Sequence, residues 1–140
     1  MSVILIVLGA LPFVIGGILN WCMYNMPFNL PYGALSVLLL FVWGGFAFLF
    51  KGTGQSTIKI VLFLNFIAAI DVILVGVQEL ILHAYWMNSV GLWTQFFYLP
   101  LLNLGFTLTS WSHTMFPVYA ACFILLIVAS VIGCKLRERR

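Results

Sequence analysis

Residues 3–19, 33–50, 58–84 and 116–134 are four apolar stretches with almost no charge. Each is long enough, or nearly so, to cross a bilayer core as a helix, which takes about 17–25 residues. Nothing constrains this chain more. A soluble domain carries roughly 25% charged residues; here 6% are charged and 64% hydrophobic. Six basic and three acidic side chains cannot coat a water-facing surface. A soluble globular domain, a disordered chain and a nucleic-acid binder are therefore excluded. The net charge of +3 does not point to an acidic partner, because four of the six basic residues lie in the last six positions. The expectation is an all-α membrane protein, residues 1–140 forming one four-span transmembrane domain in a lipid bilayer. Its first stretch lacks the basic lead-in and clear small-residue cleavage site of a secretory signal, so it reads as a span. Cys22, Cys122 and Cys134 lie far apart and read as small apolar side chains, not as a disulfide framework.

A fifth stretch, residues 92–108, is apolar but holds Gln95, Pro100, Asn103 and Gly105. Charge decides how it is read, because Lys and Arg accumulate in short cytoplasmic loops. Lys51 and Lys59 flank one loop, and Lys135, Arg137, Arg139 and Arg140 fill the tail. Both points are expected in the cytoplasm, so the chain crosses an even number of times between them. Spans 58–84 and 116–134 already supply two crossings. Residues 92–108 are then an interfacial or re-entrant segment on the outer face, and both termini are cytoplasmic. Short loops and the absence of glycosylation sequons suggest a bacterial cell inner membrane.

Trp and Tyr collect at membrane–water interfaces. By this topology Trp21, Tyr24, Tyr32, Tyr85, Trp86, Trp93, Tyr98, Trp111 and Tyr119 form an outer aromatic layer, and only Trp43 falls elsewhere. That layer is either a plain anchor or a lid over an outward cavity. Gly16-Gly17 and Gly44-Gly45 offer close helix approach. Residues 20–31, with Pro27 and Pro31, read as a loop.

Chemistry concentrates on the third span, which carries Asn65, Asp71, Gln78, Glu79 and His83. An ionisable group inside a span costs about 2.5–3.5 kcal/mol or more and usually faces a cavity or a partner. On one continuous helix these five side chains occupy an arc of roughly 140°. No other span contributes an acid or a base, so Asp71 is expected to be protonated, hydrated or paired outside the chain. Asp71, Glu79 and His83 step outward as a proton or solute path requires. Glu79 and His83, four residues apart, with His113, form a weak candidate metal site; otherwise neither metal nor cofactor is expected. His113 reads most simply as a solvated loop residue.

No clustered nucleophile, base and acid is legible, so catalysis is not expected. The leading expectation is a channel-like or proton-linked transporter subunit with Asn65, Asp71, Gln78, Glu79 and His83 along a polar path. Four helices are thin walls for a pore, which favours a homo-oligomer or a larger membrane complex. The alternative is a non-catalytic accessory or assembly subunit docking through Asp71. A polar cluster that merely holds the helices together is the structural alternative to both.

Overall fold

The structure, a computed structural model, describes residues 2–27 and 30–139. Helices α1 (Ser2–Gly9) and α2 (Leu11–Asn25) form one apolar rod of 24 residues. Pro12 stands at the start of α2, where a missing backbone donor costs least. The rod continues past Leu19, where a loop was expected, because no breaker precedes Pro27. Asn25 Nδ2 donates to Trp21 O at 2.8 Å and Met26 N to Cys22 O at 2.9 Å, finishing the last turn. The connection shrinks to residues 26–31, of which Phe28 and Asn29 lie outside the described residues.

Helix α3 (Tyr32–Lys51) is the second long rod. The third span differs from the single helix expected. It comprises α4 (Thr57–Leu64) and α5 (Phe66–Gly76), bent by 50° at Asn65, followed by a π-helical turn over Val77–Ile81. The bend has a local cause. Asn65 Nδ2 donates to Val61 O at 2.9 Å, in competition with the helical ladder, and its backbone leaves helical geometry. The final long helix, α8, covers Met115–Glu138. The α1–α2 rod, α3 and α8 are each long and apolar enough to cross a membrane, and the bent pair supplies a fourth crossing if it acts as one span. Outward side chains such as Val7, Phe41 and Ile73 are more than half exposed. Such an apolar sheath suits lipid, and by helix length and hydropathy the chain is a small multi-span membrane protein.

The two ends of the bundle are chemically distinct. At one end Lys51 Nζ meets Glu138 Oε1 at 2.8 Å, and Thr57 Oγ1 donates to the same oxygen at 3.0 Å. The Lys51–Lys59 loop and the basic tail therefore share an end, as the charge argument requires. At the opposite end the π-turn meets the start of α8. Between them a core of Trp43, Ala47, Ile60, Leu64, Phe97, Leu101 and Leu126 is sealed from the surface. Only one glycine of each expected pair packs closely. Gly16 sits on the Phe96 backbone and Gly44 against Ala129 and Gly133, whereas a methyl group on Gly17 or Gly45 would meet nothing within 4 Å.

Residues 89–108 form a hairpin of two short helices, α6 (Ser89–Tyr98) and α7 (Leu102–Leu108), joined by a 3₁₀ turn at Leu99–Leu101. Its tip is inside the bundle. Tyr98 Oη donates to Ala68 O at 2.8 Å, Ser36 Oγ to Pro100 O at 2.7 Å, and Cys122 Sγ to Leu101 O at 3.5 Å. Pro100 lacks a backbone donor, which stops α6, and Phe97 and Leu101 bury the turn completely. This corrects part of the aromatic layer. Trp21, Tyr24, Tyr85, Trp93 and Trp111 are more than half exposed, but Tyr98 and Tyr119 are core residues whose rings stack edge-on at 5.0 Å.

Candidate functional site

The five polar residues of the third span do not share one face. The bend at Asn65 and the π-turn rotate them onto different neighbours. Asn65 belongs to a satisfied cluster at the bend. Its Oδ1 accepts from Trp43 Nε1 at 3.0 Å, its Nδ2 donates to Ser130 Oγ at 3.0 Å, and Ser130 Oγ donates to Leu126 O at 2.8 Å. This ties α3, α4 and α8 together with few polar groups left over.

Glu79 caps a helix. The first backbone N–H groups of α8 have no partner within their own helix. Glu79 Oε2 accepts from Met115 N and Phe116 N, both at 2.9 Å, and from Tyr85 Oη at 2.5 Å. Its negative charge also complements the positive end of the helix dipole. Burial, and then the Glu79 carboxylate beside it, push the Tyr85 phenol above its ordinary value. His83 lies beyond the π-turn, exposed and with a left-handed φ of 50°. His113 is likewise exposed, in the turn before α8. Among the described residues no three His, Cys, Asp or Glu side chains gather as a metal site, so Glu79, His83 and His113 do not converge on one ion.

Asp71 and Gln78 remain. Both are buried, at 3% and 2% exposure. Gln78 Oε1 accepts from Trp86 N at 2.9 Å, while its Nε2 has no partner. Asp71 Oδ2 has none either. Unsatisfied buried polar atoms are rare and call for an explanation. Asp71, Val75 and Gln78 follow one another at i, i+4 and i+7, which on a helix is one stripe. That stripe runs into a cavity of about 880 Å³ at the Glu79 end of the bundle.

The cavity exists because the α6–α7 hairpin is wedged between α2, α5 and α8. Val75 and Gln78 form one wall, and Asn20, Thr94, Gln95 and Phe96 face them from α2 and α6. Tyr119 and Met115 close it from α8, and Tyr85, Trp86 and Met87 reach the rim. Tyr85 and Met87 are exposed, so the cavity communicates with the end of the bundle. Asp71 lies one turn below Val75, within electrostatic range of both Tyr98 and Tyr119. The arrangement is a chamber with amide and hydroxyl donors on its walls and a single carboxyl group beneath its floor.

Sequence reasoning singled out Asp71 and Gln78 but missed Tyr98, Tyr119, Asn20 and Thr94. Asn20 was read as loop, and the two tyrosines were read as interface anchors. Gln95 was noticed only as a reason to doubt a fifth span; a glutamine in an apolar segment that turns back on itself was the available signal. No family model, no curated protein and no solved structure matches the chain in comparison.

Proposed function

We propose that this chain is a channel-like or proton-linked transport subunit whose path enters the 880 Å³ cavity and ends on Asp71. Three buried side-chain atoms among the described residues have no partner, Asp71 Oδ2, Gln78 Nε2 and Glu79 Oε1; the observation that carries this reading is that two of them, on Asp71 and Gln78, lie on one stripe leading into a chamber. Discontinuous helices around a central polar site are the usual architecture for moving a solute across a bilayer. Here the pair α4–α5 is bent at Asn65, and α6–α7 dips in as a re-entrant hairpin. Beneath Asp71 the core of Ile60, Leu64 and Leu126 is closed. The chamber is therefore accessible from one side, and passage requires a movement or a neighbouring subunit.

In this reading the Lys51–Glu138 end faces the cytoplasm and the cavity faces outward, in accord with the positive-inside rule. The path differs from a relay along the third span, because Glu79 is engaged at α8 and His83 stands outside. The accessory-subunit alternative is weakened by burial. Asp71 points into its own bundle, beneath the hairpin, and a partner's basic group would have to displace α6 to reach it.

The test uses purified protein in liposomes loaded with a pH-sensitive dye, under an imposed potassium diffusion potential, with parallel osmotic swelling in urea and glycerol. Protein-dependent proton entry or swelling is expected, and Asp71→Asn is expected to abolish the proton component. Wild-type vesicles indistinguishable from protein-free vesicles in both measurements would refute the proposal.

A further inference from the structure

We infer that the chamber takes a lipophilic organic monocation, which exchanges with one proton at Asp71. This rests on the transport reading and names its substrate class. Three independent observations converge on it.

The first is the sign of the surroundings. Among the described residues every Lys and Arg lies toward the Lys51–Glu138 end: Lys51, Lys59, Lys135, Arg137 and Arg139. The half of the bundle that holds the chamber contains two carboxyl groups, Asp71 and Glu79, and no basic side chain other than the exposed His83 and His113. Such segregation leaves no basic group to repel a cation there, and it favours cations over anions once Asp71 is ionised.

The second is the wall chemistry. Tyr85, Trp86, Phe96 and Tyr119 contribute aromatic surface around a space of about 880 Å³. Ring faces attract cations, most strongly when both are removed from water. That volume falls within the usual range of small-molecule sites, about 300–1,000 Å³. A small strongly hydrated ion would find few oxygens here, whereas an apolar cation finds matching surface.

The third is the group beneath the floor, Asp71, one turn below the lining residue Val75. The titratable side chains within electrostatic range of Asp71 are Tyr98 from α6 and Tyr119 from α8. Helix α1 brings none, and Lys59 of α4 lies on the far side of the Asn65 bend. Neither tyrosine carries a positive charge in any protonation state. Among the described residues Asp71 therefore has no counter-charge. A proton or a bound cation can each compensate it, but not both at once. The exchange balances: Asp71 carboxylic acid plus cation gives carboxylate–cation pair plus one released proton.

The experiment uses tetraphenylphosphonium and tetraphenylborate, which share size and shape but have opposite charge. Binding to the full chain in mild detergent is followed by Trp fluorescence and by proton release in weak buffer. Tetraphenylphosphonium is expected to bind with release of one proton, its affinity rising by about tenfold per pH unit while Asp71 is protonated. Tetraphenylborate is expected not to bind, and Asp71→Asn to abolish the proton release. Equal binding of the two probes, or no binding of the cation to folded wild-type protein, overturns the inference. The wild-type comparison of the two probes decides the matter even if Asp71→Asn does not fold. Proton flux in vesicles without cation binding leaves the transport reading standing and removes only the substrate class. Cation binding with proton release but no flux supports the site and removes transport.

Discussion

The bend at Asn65 can be tested quantitatively through its bond to Trp43. Trp43 is fully buried, and its Nε1 has Asn65 Oδ1 as acceptor at 3.0 Å. Asn65→Ala deletes two interhelical hydrogen bonds, to Trp43 on α3 and to Ser130 on α8. Measured bonds of this kind within membranes average about 0.6 kcal/mol and reach about 1.7. The substitution also strands the indole N–H in the core, where an unpaired donor costs about 1–3 kcal/mol. A total loss of about 2–4 kcal/mol is expected. Trp43→Phe removes the donor while retaining an aromatic ring, and strands Asn65 Oδ1 instead. In the double variant neither atom is present, so the penalty for stranding disappears. The two losses should fall short of additivity by about 1 kcal/mol. Reversible unfolding of the four proteins in mixed micelles, followed by helical circular dichroism, measures this. Additivity within about 0.3 kcal/mol would refute the claim that this bond stabilises the bent span.

The paired glycines supply an internal control. Ala at Gly16 or Gly133 would drive a methyl group into the backbone of Phe96 or Gly44, and overpacking of this kind costs about 1–3 kcal/mol. Ala at Gly17 or Gly45 meets open space and should stabilise the helix slightly, by about 0.5–1 kcal/mol. Losses of equal size at both kinds of position, read by the same unfolding assay, would contradict the described packing. A reporter enzyme fused beyond the basic tail is expected to be active on the cytoplasmic side only; activity on the opposite side would reverse the proposed orientation.

How much was legible in the sequence depended on what kind of signal each feature leaves. Long apolar runs announce helices long enough to cross a membrane, because the bilayer imposes a length and a polarity. Clustered lysines and arginines announced that the Lys51 loop and the tail share an end, and the Lys51–Glu138 pair agrees. The bend at Asn65 left only one polar residue as its mark, indistinguishable from a residue lining a path. The π-turn at Val77–Ile81 left none, yet it swings Glu79 toward α8 and ends the helix before His83. Angular arguments along a helix assume a constant period, and two local departures were enough to scatter five side chains. Residues 92–108 were ambiguous for a related reason. Pro100 with Gly105 signals a break, but which way a broken apolar segment turns depends on what it packs against. Here that is Ala68, Ser36 and Cys122, all distant in sequence.

The hairpin also explains why so small a bundle has a chamber. Four straight apolar helices pack around one another to near-crystalline density and leave no room. Inserting α6 from one end separates α2 from α5, and the turn at Leu99–Leu101 fills the middle of the bundle with Phe97, Tyr98 and Leu101. The space left above that plug is what Gln78, Asn20 and Tyr119 line. The same insertion brings the Tyr98 hydroxyl to Ala68 O, one turn from Asp71. The wedge that opens the chamber therefore also shields its acid from the closed half of the bundle. Any change that withdraws the hairpin would alter access to Asp71 from both directions at once. This coupling between access and the acid is what exchange at a single carboxyl group needs.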